Sequence, residues 1–261
     1  MRKLSVAVLA VLMLATLIGC GSAGGGYVAG QIEEAYSYVH GGYVGRAVVR
    51  VMDEGVLDVS LDEAFLPHTL GIVEFEDAEW TEANTAYYVS RGNEVRVAKY
   101  VEYDGDVYVG VTVGSGLSYV AAGENGEPAG GTDLEKAILR NQATMAAYFA
   151  GVQSGSFKIL ADFGGAAMAV TETHYGGVTK KNAPGYWNSG QTWIGNITAI
   201  EEFIEENGAG FPLSEMTRAA EEDANGLKFW SVADAVTGAT NSDFKDYFGL
   251  VQSAIGRLAM E

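Results

Sequence analysis

Residues 43–61 read Tyr43-Val44-Gly45-Arg46-Ala47-Val48-Val49-Arg50-Val51, then Met52-Asp53-Glu54-Gly55, then Val56-Leu57-Asp58-Val59-Ser60-Leu61. The first run is rich in β-branched and aromatic residues. Asp53-Glu54-Gly55 supplies turn chemistry, and the last run alternates as a returning strand, so the stretch predicts a β-hairpin. The same signature recurs downstream. Glu94 to Tyr103 and Val107 to Val113 flank Asp104-Gly105-Asp106, whose Asp-Gly pair suits the tight turn that matches strand twist. Thr85–Ser90 and Phe157–Ala161 read as further strands. Gln31–His40 reads as a short helix or an irregular entry segment.

Helical patterns follow later in the chain. Asp133 opens a helix running to about Gly151, with Leu134, Ala137, Ile138, Met145 and Phe149 near one face. Ile197–Glu206, Leu213–Glu222 and Ser242–Leu258 read as three more. Glu124–Thr132 and Thr179–Gln191 read as loops. Strands early and helices late predict an α+β fold, a mostly antiparallel sheet with helices packed on one face.

The N-terminus begins Met1-Arg2-Lys3 and runs apolar from Leu4 to Ile18. A basic start and an apolar stretch too short to span a membrane comfortably predict an export signal. It ends Leu17-Ile18-Gly19-Cys20, which looks like the lipobox of bacterial lipoproteins, and Cys20 is the only cysteine of the 261 residues. The expectation is a signal peptide over 1–19, lipidation of Cys20, and a flexible Gly/Ser tether over 20–30. Such a protein is held to a membrane on its extracytoplasmic face, in the periplasm or at the cell surface. Loss of Arg2 and Lys3 leaves 14 basic residues against 34 acidic ones, a formal charge of −20. That surface repels phosphate backbones and argues against nucleic-acid binding.

Near the C-terminus stands Asp234-Ala235-Val236-Thr237-Gly238-Ala239-Thr240, followed by Asn241-Ser242-Asp243. It resembles the flavinylation motif Asp-x-x-Ser/Thr-Gly-Ala-Thr of the FMN-binding domain family. That family includes peripheral subunits of the Na+-pumping NADH:quinone oxidoreductase and Rnf complexes, and bacterial surface lipoproteins. Random occurrence of the five fixed positions is on the order of one chain per thousand. Gly42-Tyr43-Val44-Gly45 leading into a hairpin is similar to the opening of these domains. Ala183-Pro184-Gly185-Tyr186-Trp187 through Trp193-Ile194-Gly195-Asn196 resembles the lipoprotein branch.

The resemblance implies a domain over 31–261 with a central insertion. It also implies covalent FMN joined through its phosphate to Thr240 by an FAD-dependent FMN transferase. Thr237, Gly238 and Ala239 would then be the recognised neighbours and Asp234 the leading acid. A hydroxyl is what a phosphoester requires, and the small Gly-Ala pair admits a transferase to the backbone. Trp230, just before the motif, is the first candidate to stack on the flavin ring, ahead of Trp187 and Trp193; core packing is the alternative for each. The expected function is electron transfer between redox partner proteins or a quinone-linked module, as a carrier and not an enzyme, with a flavoprotein reductase acting on its own small substrate as a further alternative. The rival reading is a cofactor-free surface lipoprotein acting in solute binding or adhesion. In that case Gly238 simply makes a turn and Thr240 or Ser242 caps the last helix.

Other residues point elsewhere or nowhere. His40, His68 and His174 lack metal-ligand spacing and read as surface or loop histidines. The glycine-rich stretches lack a nucleotide fingerprint. Glu74, Glu76, Asp77, Glu79 and Glu82 lack calcium-loop spacing and read as a solvated face.

Overall fold

The structure is a computed structural model that describes residues 26–39, 41–74, 80–232 and 235–259. Cys20, the signal segment and the start of the tether lie outside the described residues, as do Asp234, His40, Glu76, Asp77 and Glu79. The predicted hairpin forms the centre of a three-stranded antiparallel sheet of β1 (Ile32–Val39), β2 (Tyr43–Val51) and β3 (Leu57–Phe65), in that order. Ala47 pairs with both Ala35 and Leu61, and Val49 with Val59. These apolar side chains therefore share one face. That face is buried against α4 (Trp193–Asn207) and α5 (Phe244–Ile255), which contribute Ile197, Ile200, Ile204, Phe248 and Val251.

A second core lies on the other face. There Tyr36, Val44 and Ala64 meet α3 (Gln142–Gln153) through Met145, Phe149 and Val152. Beyond α3 stands a six-stranded antiparallel sheet in the order β11 (Ala167–Ala169), β10 (Phe157–Leu160), β6 (Tyr100–Tyr103), β7 (Asp106–Val113), β8 (Gly116–Ala122), β9 (Pro128–Gly130). A hairpin of β4 (Thr85–Ser90) and β5 (Asn93–Ala98) adjoins it. The α+β class with mostly antiparallel sheets is thus as expected. Two helices share one face of the first sheet, and α3 occupies the opposite one.

Four sequence expectations are corrected. Residues 32–39 form strand β1, neither a helix nor an irregular segment, because every residue of it pairs along β2. Residues 213–222 contain a short 3-10 turn at Leu213–Glu215 and then strand β12 (Thr217–Arg218), which pairs with β13 (Trp230–Val232). The helix expected over 133–151 is two, α2 (Leu134–Ile138) and α3. Asn141 interrupts it and restarts the helix with a reciprocal cap to Thr144. The expected strand over 94–103 is also two, β5 pairing with β4 and β6 with β7.

Strand β3 is an edge strand, and its outward amides are covered. Leu61 N–H donates to Glu201 Oε1 at 2.6 Å and Val59 N–H to Glu205 Oε1 at 2.9 Å, both carboxylates coming from α4. Farther along, Phe65 N–H donates to Val178 O, and Lys181 N–H to Asp62 Oδ1. Helix and loop thereby block a surface on which another strand could add.

Candidate functional site

The Thr237–Asn241 turn leaves a short sheet and enters the last helix. Strand β13 pairs with β14 (Ala235–Val236), and the chain then folds back over Trp230. Thr237 donates to Trp230 O twice, through its amide and through Oγ1, both at 2.9 Å. Its hydroxyl also receives the Ala239 N–H at 3.3 Å, and Trp230 N–H closes the turn on Ala239 O at 2.8 Å. A hydroxyl at position 237 is therefore a structural requirement of the turn, which either Ser or Thr would meet.

Gly238 has φ +75, a left-handed conformation that costs an ordinary residue roughly 1–2 kcal/mol. A Cβ there would also stand 3.3 Å from Ala199 Cβ on α4. Gly238→Ala is accordingly expected to lower unfolding stability by about 1–2 kcal/mol, read by chemical denaturation. An unchanged midpoint would show that the turn is not held in this conformation.

One side chain organises the second half of the turn. Asn196, fully buried on the first turn of α4, accepts three hydrogens at Oδ1: Thr240 N–H at 2.6 Å, Thr240 Oγ1–H at 3.1 Å and Asn241 N–H at 3.0 Å. Its Nδ2 donates to Gln191 O and Thr192 O. Thr192 is itself the cap of α4, accepting from Gly195 N–H. Gln191 Nε2 donates to Gly238 O at 2.6 Å. The N-terminal turn of α4 and the segment before it thus hold the Thr240 turn from one side.

From the other side, Arg218 Nη2 donates to Thr240 O at 2.7 Å and Trp230 Nε1 to Asn241 O at 2.7 Å. The Trp230 ring stacks on Phe244 with centroids 5.3 Å apart and planes 15° apart. Lys245 Nζ stands 5.5 Å from the same ring. Trp230 therefore clamps the turn, a role that sequence reasoning did not assign to it. Trp193 is 2% exposed and donates Nε1 to Tyr247 OH, as core packing implies. Trp187 is exposed and carries a left-handed φ of +38.

Thr240 is 8% exposed and Asn241 3% exposed. Neither Oδ1 nor Nδ2 of Asn241 has a hydrogen-bond partner, and Gln191 Oε1 has none either. Buried amides left this way are uncommon and mark strain, water or a ligand. The last helix begins at Phe244, with Asp243 at its cap position and no side-chain cap bond. Neither Thr240 nor Ser242 caps it.

One histidine departs from a plain surface reading. His68 Nδ1 lies 2.6 Å from Glu135 Oε1, which also accepts the His68 N–H, and both residues line a groove with Ser118 and Asp133. His174 is exposed in a loop, as expected, and rests against Tyr175, where partial desolvation lowers its pKa. No group of three or more acidic, Cys or His side chains suited to a metal occurs among the described residues, and none of their helices is long and apolar enough to cross a membrane. No protein-family model, curated protein or solved structure matches the chain.

Proposed function

We propose that the protein is a lipid-anchored, extracytoplasmic electron carrier with FMN esterified through its phosphate to Thr240. The single observation that carries this reading is the Thr240 hydroxyl, fixed by Asn196 in a turn of sequence Thr-Gly-Ala-Thr. The residues beside it suit the group. Asn241 and Gln191 offer unsatisfied amide donor and acceptor atoms to ribityl hydroxyls and phosphate oxygens. Arg218 and Lys245 bring two cations to this turn in a chain of formal net charge −18. When bound, FMN supplies the electron transfer. The chain supplies attachment and orientation, and Arg218 and Lys245 offset Asp243 beside the turn.

Asn196 is a positioning residue in this scheme. By accepting the hydrogen bond from Oγ1–H it fixes the hydroxyl and leaves the oxygen lone pairs free for a phosphoester. Because Thr240 is 8% exposed, esterification requires the turn to open, or to be modified before α4 closes on it. The low exposure is also the observation that favours the second reading, a cofactor-free surface lipoprotein in which the turn is only a helix entry.

The two readings separate on co-production with an FMN transferase, followed by denaturation, desalting and a visible spectrum. Flavin absorbance that stays with the unfolded chain is expected. A colourless chain, with a known substrate modified in parallel, favours the second reading.

A further inference from the structure

An ion pair lies buried behind the turn, and the proposed electron-carrier role makes no use of it. Glu63 on β3 has no exposed surface, and Lys180 is 3% exposed. Lys180 Nζ touches Glu63 Oε2 and the Tyr247 hydroxyl lies on the same carboxyl, but neither contact has hydrogen-bond direction. Nζ also faces three rings, those of Tyr43 at 3.4 Å, Tyr186 at 4.4 Å and Trp193 at 5.5 Å. The rings are fixed to one another and to α5, Tyr43 OH to Tyr186 OH at 2.9 Å and Trp193 Nε1 to Tyr247 OH at 3.1 Å.

As an ion pair this arrangement is unfavourable. Each charge removed from water costs several kcal/mol, and mutual attraction offsets that only when the other lone pairs are satisfied. Here they are not. We propose that Lys180 and Glu63 condense to an intramolecular isopeptide bond. Within the pair, the ammonium returns one proton to the carboxylate, giving amine and acid. Burial raises the Glu63 pKa and so favours that acid form. Nζ then attacks Cδ, a C–N bond forms, the C–O bond to the acid hydroxyl breaks, and one water leaves with a proton from nitrogen. No oxidant or co-reactant enters.

The product removes both buried charges and one of the two unpartnered oxygens, and its N–H still faces aromatic rings. It ties edge strand β3 to the segment that runs on into Gln191 and Asn196, which hold the Thr240 turn. A chain with one cysteine has no internal disulfide to do so.

The proposal stands apart from flavinylation and is tested without it, by peptide mapping of the full chain. Trypsin does not cut after an acylated lysine. A branched species joining residues 51–91 to 159–181, lighter than their sum by one water, is expected. Lys180→Arg keeps a cation in the cage and is expected to yield only linear peptides. Finding both peptides linear in the native chain, or a water loss that maps to other residues, overturns the proposal and leaves a caged ion pair.

Discussion

Thr240→Ala is expected to abolish all covalently held flavin while leaving the protein folded. The substitution removes the only atom that the proposed phosphoester uses, so the effect on flavin content is all-or-none. Its effect on stability is small, because the side chain gives up one hydrogen bond, the 3.1 Å contact to Asn196 Oδ1, worth on the order of 1 kcal/mol. The Thr240 and Asn241 amides still reach the same oxygen. Thr240→Ser keeps a hydroxyl and is expected to retain flavin. In-gel fluorescence after denaturing electrophoresis reads all three proteins at once. Equal fluorescence from wild type and Thr240→Ala would move the attachment elsewhere.

Asn196→Ala is expected to carry the largest cost in stability among the site substitutions. It strands two buried amides and the Thr240 hydroxyl on one side and the Gln191 carbonyl on the other, while the Thr192 carbonyl keeps the backbone N–H of residue 196. Groups left unpaired in a dry site cost about 1–3 kcal/mol each, and solvent entry recovers part, so a loss of about 3–5 kcal/mol is expected. Flavinylation should fall with it, because the hydroxyl is no longer aimed. Asn196→Asp keeps an acceptor for all three hydrogens but loses the Nδ2 donor, and should restore part of both properties. Urea denaturation and flavin content measured on the same preparations decide the matter. A loss below about 1 kcal/mol would show that Asn196 does not organise the turn.

The elements legible in the sequence were those whose residues carried their own signal. Strands β2 and β3 declared themselves through valine-rich and alternating runs either side of a glycine turn, and α4 and α5 through apolar residues at helical spacing. Strand β1 did not, because Glu33-Glu34-Ala35-Tyr36-Ser37-Tyr38 has no β-branched residue and is a strand only by pairing with β2. Residues 213–222 misled in the opposite sense. Leu213, Met216 and Ala220 fall at helical spacing, yet Thr217 and Arg218 pair with Ser231 and Trp230, so tertiary pairing overrode the local pattern.

At the site, the motif located the turn but not the groups that hold it. Asn196 and Arg218 stand 44 and 22 residues from Thr240, and nothing local to either residue signals the contact. The amide at 196 caps the turn at 240 across the interface of two segments. Lys180 and Glu63 were equally silent, since a lysine in a polar loop and a glutamate in an alternating strand both read as exposed.

The central claim is tested most directly by tryptic mapping of the protein purified from its native host under conditions where the FMN transferase is active. The peptide spanning residues 229–245 contains Thr240 and no internal tryptic site. The account predicts that this peptide carries the mass of an FMN phosphoester, with fragmentation that places it on Thr240. Recovery of the same peptide unmodified from that material would contradict it.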